Sequence, residues 1–339
     1  MRQTLRQAAK SLTNHPLVES TIRRVLKGTR VLSYHRFPVE LAGELERQCA
    51  YFRRNFTLVS LDTFALALRD NRPLPENSLV VTVDDGYEDS YSVAAPIFQK
   101  HGIPATVYLV SDFLDRKTWL WWDQLSYAFA RSRNEQIMLH LPGRGPETIK
   151  LGSAAERQNH ATQCALALLR INCMDAQQDL QQICEDLGVS IPSEPSADFL
   201  PLSWEKVKEM SAMGISFGSH TVSHRILGTI PSWEERRHEV TESKRRIEEM
   251  SGLEIRHFCF PNGGIGDFAH SDINLVRSAG YNSAATLMIG VATAASDPFL
   301  IPRITVNPEL PFDFFRMKVA GLWHFRGANQ PHRLPIRFE

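Results

Sequence analysis

The stretch Leu79-Val80-Val81-Thr82-Val83-Asp84-Asp85-Gly86-Tyr87 sets five residues of strand character directly against two adjacent carboxylates and a glycine. A continuous Val-rich run that stops at a turn signal suits a strand covered on both faces, as in a parallel sheet. Two acids at its C-terminal end cannot both be buried unpaired, because a carboxylate away from water is costly. Two arrangements relieve that cost. In one, a metal is held by one acid while the other handles a proton. In the other, an Asp-Gly turn leaves both acids in water. The stretch alone does not choose between them.

Working outward, similar apolar segments recur at Val31-Leu32-Ser33-Tyr34, Phe56-Thr57-Leu58-Val59, Val80-Val81-Thr82-Val83 and Ala105 to Val110, starting 25, 24 and 25 positions apart. Helix-like stretches fill the intervals: Leu41 to Arg54, Leu61 to Arg69 and Asp89 to His101. That alternation predicts βα units around a parallel sheet, and a barrel accommodates it. Strand-like segments return at Ile215-Ser216-Phe217, His257 to Phe260, Ser283 to Thr286 and Ile301 to Val306. Between them, residues 112–202 read as a mostly helical insertion, which is either a lid over the site or a cap that only adds core. The expected organisation is a basic amphipathic helix over 1–30, a barrel over 31–320 carrying that insertion, and a tail over 321–339.

Composition narrows the class. Of 339 residues, 43% are hydrophobic and 22% charged, as in an ordinary globular protein. Lys plus Arg balances Asp plus Glu at 38 each, which gives no argument for nucleic acid. Five scattered cysteines without a CxxC pair suit a reducing compartment and argue against a cysteine zinc site. With no apolar run of membrane-spanning length and no secretory h-region at the start, the expected location is cytoplasmic. Residues 1–30 concentrate Arg2, Arg6, Lys10, Arg23, Arg24, Lys27 and Arg30 against the single acid Glu19. Such a helix either rests on an anionic membrane surface or packs on the body with a solvated face.

Two further segments follow predicted strands. His220-Thr221-Val222-Ser223-His224 places two histidines four apart, so that they share one face of a helical turn, a spacing that can grip one metal. A barrel puts the C-terminal ends of its strands on one catalytic face, so an Asp and the two His would make a three-ligand site with a position left for water. Zinc or another divalent first-row metal suits that donor set. Phe258-Cys259-Phe260-Pro261-Asn262-Gly263-Gly264 is a sharp turn that can aim a backbone N–H into the cleft. It lacks the lysine and following helix of a nucleotide loop.

In this order, Thr82-Val83-Asp84-Asp85-Gly86, His220 to His224 and Phe258 to Gly263 resemble the three motifs of the polysaccharide deacetylase family, carbohydrate esterase family four. Tyr34-His35 and Trp121-Trp122-Asp123 also look like features of a bacterial subgroup that acts on surface-polysaccharide precursors. The resemblance implies a distorted (β/α) barrel with fewer than eight strands that removes the acetyl group from an amino sugar. Carried over by motif position, Asp85, His220 and His224 hold one divalent metal, most simply Zn2+. Asp84 is the general base, and the backbone N–H of Asn262 helps stabilise the oxyanion.

The chain departs from the family at two places. Cys259 stands where the third motif carries an arginine, and the late strand Leu300 to Ile304 has no histidine. Arg303 can substitute for the arginine by pairing with Asp84, and His35 for the histidine as general acid. Each is equally readable as a structural residue. Tyr87, Trp121, Trp122 and Pro261 are expected along the substrate, the tryptophans being alternatively helix core. The expected substrate is a lipid- or nucleotide-linked amino-sugar glycan at the inner membrane face, with no protein partner identifiable. Two other functions fit the same scaffold: hydrolysis of a different amide, such as a formyl group, and carbohydrate binding without catalysis.

Overall fold

The computed structural model describes residues 16–141, 145–169 and 173–321, with the backbone alone for 16–17 and 173–177. Ten strands are formed: β1 (Arg30–Tyr34), β2 (Thr57–Leu58), β3 (Ser78–Val83), β4 (Thr106–Leu109), β5 (Gln136–Leu139), β6 (Glu147–Lys150), β7 (Ser216–Ser219), β8 (His257–Cys259), β9 (Ser283–Ile289) and β10 (Ile301–Thr305). Seven of them close a parallel ring in the order β1-β10-β9-β8-β7-β4-β3, with β3 pairing back onto β1 from Arg30↔Leu79 to Tyr34↔Val83. Strand β2 is shorter than its sequence suggests and adds only to the start of β3. Eight strand segments were expected, and all eight belong to this sheet.

The Val-rich run is buried throughout in β3 because it has a core on each side. Leu79, Val81 and Val83 join Leu32, Val107 and Leu109 in the layer under the surrounding helices. Val80 instead joins Val31, Tyr108, Cys259 and Ala285 inside the barrel. The two-residue pleat carries that inward face on to Thr82 and then Asp84. One acid of the pair is therefore delivered to the top of the barrel interior by the strand itself.

Among the helices, Leu61–Arg69 is capped by Ser60, whose hydroxyl accepts from Thr63 N–H. The expected helix over Asp89–His101 opens as a π turn, Ser90–Ala94, before its α-helical part Ala95–His101. Pro96 has no N–H to donate back to Ser92, which favours this break in the ladder.

The insertion builds its own core. Helices Trp121–Arg131, Ala154–Leu168 and Cys173–Asp186 pack around Leu125, Phe129, Ile149, Cys164 and Ile183. It also contains the antiparallel hairpin β5-β6, which the reading as a helical segment omitted. The helix Pro16–Val25 sets Ile22 against Met317 and Ala320 of the helix Phe312–Ala320. Its Glu19 is buried and accepts from Tyr51 Oη at 2.5 Å. In this part of the basic segment the apolar side faces protein, as in the packed-helix alternative. Residues 1–15 and the tail after Gly321 lie outside the described residues.

Candidate active site

Asp84 lies at the C-terminal end of β3, where its N–H continues the β1 pairing by donating to Tyr34 O at 2.8 Å. Its carboxylate is 1% exposed and meets Arg303 of β10 in a two-point contact, Oδ1–Nη1 2.7 Å and Oδ2–Nη2 2.8 Å. The guanidinium is itself fully buried, and its other N–H groups reach Thr286 O (2.8 Å), Thr82 Oγ1 (3.0 Å) and Cys259 Sγ (3.0 Å). All five donors of the side chain are thus used. Burial alone would raise the Asp84 carboxyl, but Arg303 outweighs it with smaller help from His35, holding the group well below the usual carboxylate range. The residue that replaces the motif arginine, Cys259, contacts the guanidinium arriving from two strands away. The small thiol leaves room for Arg303 to reach Asp84.

Asp85, His220 and His224 converge beside this pair. Asp85 Oδ1 lies 3.6 Å from His220 Nε2 and 3.3 Å from His224 Nε2. His220 is fixed by its other nitrogen, Nδ1, 2.7 Å from Cys259 O. A carbonyl can only accept, so Nδ1 carries the proton and Nε2 presents a lone pair toward Asp85. Burial, followed by the neighbouring His224, pushes His220 down to about 4, so it is a neutral imidazole at pH 7. Asp85 Oδ1 is buried without a hydrogen-bond donor. An orphaned carboxylate oxygen facing two imidazole nitrogens is the donor set of a divalent cation, and these three residues fit one.

The histidines do not share a helical turn, contrary to the spacing argument. Residues 220–224 form a loop in which Thr221 (φ 69°) and His224 (φ 60°) are left-handed. That backbone folds the two rings together at 4.6 Å between centroids. Asp85 (φ 73°) and Asn262 (φ 58°) are left-handed as well, so four of the seven such non-glycine residues among those described meet here. Strain of this kind persists only where surrounding contacts enforce it. Glu239 is one enforcer. Its buried carboxylate accepts from Val222 N (2.9 Å), Ser223 N (3.0 Å) and Ser223 Oγ, pinning the loop between the histidines. Two glycines are equally required. A Cβ on Gly86 (φ 86°) would lie 2.9 Å from Leu109 Cδ2, and one on Gly263 (φ 57°) 2.8 Å from Leu287 N.

The polysaccharide deacetylase family model matches residues 71–284. The chain belongs to this family. Among curated relatives, the Bacillus subtilis (strain 168) polysaccharide deacetylase homologue YxkH is 19% identical over 266 residues, covering 78% of this chain and 64% of the relative. The poly-beta-1,6-N-acetyl-D-glucosamine N-deacetylase of Escherichia coli (strain K12) is 31% identical over 121 residues, 31% of this chain and 18% of the relative. The chain therefore spans less than two thirds of either relative's length. In fold it is similar to the Streptococcus pyogenes deacetylase PplD in complex with acetate (TM-score 0.56, 17% identity, 86% of this chain and 98% of that one). It is also similar to IcaB from Ammonifex degensii (TM-score 0.53, 19% identity, 87% and 97%). The family match includes the three motifs but stops short of His35 and Arg303, whose places rest on the geometry above.

In this family member the remaining expected residues divide sharply. His35 sits in the cleft with Nε2 3.5 Å from Asp84 Oδ2, while its Nδ1 has no partner. Asn262 also lines the cleft, and among the described residues no backbone carbonyl takes its N–H. Pro261 is buried and does not line it, serving instead to shape the turn. Tyr87 lines the cleft but offers no platform for a sugar. Its ring is 2% exposed, with Arg36 stacked at 4.2 Å and Phe113 against its edge. Its hydroxyl donates to Asp123 Oδ2 (2.8 Å) and accepts from Trp122 Nε1 (3.0 Å). Trp122 braces His224 edge-on at 4.5 Å, whereas Trp121 packs against the insertion core and reaches into the cleft.

One residue of the site, Glu239, escaped the sequence, and a second, Asp123, stood in the Trp121-Trp122-Asp123 motif without a role of its own. Glu239 lies in the charge-rich helix Trp233–Ser251, where an acid reads as solvated. Asp123 neighbours the tryptophans that drew attention, yet it is the carboxylate that is buried in the cleft. Burial pushes Asp123 up to about 7 against the opposing pull of Arg36 and the Tyr87 hydroxyl.

Proposed function

We propose that this chain hydrolyses the acetamido group of an amino sugar, using a divalent metal held by Asp85, His220 and His224. One observation carries the reading: a carboxylate kept ionised by a five-contact arginine stands beside an orphaned acid–imidazole cluster. A cation bound there supplies a lowered water pKa and a polarised amide carbonyl. Asp84 accepts the proton of the attacking water, and Arg303 aims both of its oxygens while keeping the group ionised. The Asn262 N–H, which no backbone carbonyl takes among the described residues, is assigned to receive developing negative charge on the acyl oxygen. The leaving amine needs a proton, and His35, which lines the cleft beside Asp84, is the residue assigned to carry it.

The substrate we infer is a lipid- or nucleotide-linked glycan precursor met on the cytoplasmic side. Support comes from the cleft's continuation into a larger groove between the insertion and the loop after β7, walled by Trp119, Trp121, Leu169, Leu180 and Ile226. Its apolar and aromatic walls suit the nonpolar faces of a bound glycan. The four described cysteines, Cys49, Cys164, Cys184 and Cys259, are unpaired, in keeping with a reducing compartment. The test is release of acetate from acetamido sugars by the metal-loaded protein. Asp84→Asn and His220→Ala are each expected to abolish it, and full activity in either variant overturns the assignment.

A further inference from the structure

Asp123 is the one buried carboxyl group lining the cleft, among the described residues, that the proposed reaction leaves idle. It stands on the insertion helix Trp121–Arg131 and lines the same cleft as Asp84, Asp85 and the two histidines. Of the other polar groups around that space, Asp85 and the histidines belong to the proposed reaction and the remaining charged and amide side chains have partners. Asp84 gives both oxygens to Arg303, and Asn262 Nδ2 donates to Asp267. Arg36 is held by Asp89 at 2.7 Å and by the Asp198 carbonyl at 2.6 Å. Asp123 spends only Oδ2, on the Tyr87 hydroxyl. Among the described residues, nothing donates to its Oδ1.

A carboxylate is a costly choice if its task is only to accept one phenol hydrogen bond, since an amide oxygen would do the same without a buried charge. What a carboxylate adds is a second, strong acceptor. Its aim is fixed by a directed chain in which Trp122 Nε1–H donates to Tyr87 Oη and Tyr87 Oη–H to Asp123 Oδ2. The same Trp122 packs on His224, so the acceptor is held in register with the proposed metal ligands through the indole. Ring hydroxyls are the donors that an amino sugar carries next to its acetamido group, and among the described residues the cleft offers them no other carboxylate oxygen outside those assigned to Arg303 and the metal.

We propose that Asp123 is a specificity-determining residue whose Oδ1 accepts a hydrogen bond from a ring hydroxyl of the amino sugar. The insertion is then part of substrate recognition as well as a cap, and compounds with the acetamide but without the hydroxyl are rejected. A site built to bind a hydroxyl discriminates strongly against analogues that lack it. This inference rests on the reading of the site as an amino-sugar deacetylase.

The experiment is a cycle between protein and substrate. The metal-loaded wild type and Asp123→Asn are compared on an N-acetylglucosamine oligosaccharide and on its monodeoxy analogues, each lacking one ring hydroxyl. With the wild type, one analogue should lose about 10- to 100-fold in kcat/KM, the range for a hydrogen bond to a charged group. With Asp123→Asn the same deletion should cost less than about threefold, because the partner is already weakened. Each ratio is taken within one protein, so a partly unfolded variant does not distort it. If every deletion costs the wild type and the variant equally, Asp123 reads no hydroxyl and the inference falls. If the wild type releases acetate from none of these sugars, it is the deacetylase reading that fails first.

Discussion

Replacing Arg303 with Met removes the only guanidinium among the described residues that touches the Asp84 carboxylate, an acid 1% exposed. Breaking a buried pair by deleting one partner costs about 3–5 kcal/mol, because the surviving charge is uncompensated. Here Thr286 O and Thr82 Oγ1 lose their donors as well, which places the expected loss toward the upper end. The loss should depend on pH. In the wild type Asp84 is depressed, so its contribution to stability is complete above the unfolded value of about 3.9 and fades only as pH falls toward the lower folded value. In the variant, burial is opposed only by the weaker pull of His35 and His220, so the carboxyl rises above its unfolded value. Stability is then fullest below about pH 3.9 and declines as pH increases through the raised value. Denaturant unfolding of the chelator-treated proteins between pH 4 and 8 should show a gap between variant and wild type that widens with pH. The acidic limb of acetate release should move upward with it. A gap below about 1 kcal/mol, or one constant with pH, refutes the reasoning that Arg303 keeps Asp84 charged. Arg303→Lys supplies a point charge without the fork and should recover only part of the loss.

Stripping divalent metal with a chelator should abolish acetate release, and re-addition should restore it, while Asp85→Asn protein should retain little metal after dialysis, measured as metal per chain. Glu239→Ala frees the loop between the histidines and should lower metal affinity about 10- to 100-fold, the range for residues that orient ligands. Glu239→Gln keeps an acceptor for the two backbone N–H groups and should recover most of that affinity in the same titration. His35→Ala should lower kcat about 100- to 10,000-fold with a much smaller change in KM, as the loss of a proton donor requires.

The barrel was legible because each of its strands combines a short apolar run with a boundary residue, and because βα units repeat every 24–25 positions in the first half. The hairpin β5-β6 was not, since its exposed positions are Gln136, Met138, Glu147, Thr148 and Lys150, and only Ile137, Leu139 and Ile149 mark its buried face. The two aspartates were legible as a pair needing compensation, and Arg303 as a cation available to supply it. How the histidines meet was not, because it depends on left-handed Thr221 and His224, which local preference opposes. Tyr87 was misread for a related reason. An aromatic beside a cleft and an aromatic under an arginine have the same sequence. Asp123 and Glu239 matter through burial brought about by tertiary packing: no local pattern announces Glu239, and the Trp121-Trp122-Asp123 motif does not by itself say that its acid is buried.

The central claim is tested most directly by counting products. Metal-loaded protein is incubated with an N-acetylglucosamine oligosaccharide, and free acetate and new primary amine are measured in parallel with an Asp84→Asn control. The account predicts acetate and amine in equal amounts, dependent on the divalent metal and absent in the control. Metal-independent release, or equal release by Asp84→Asn, would contradict it.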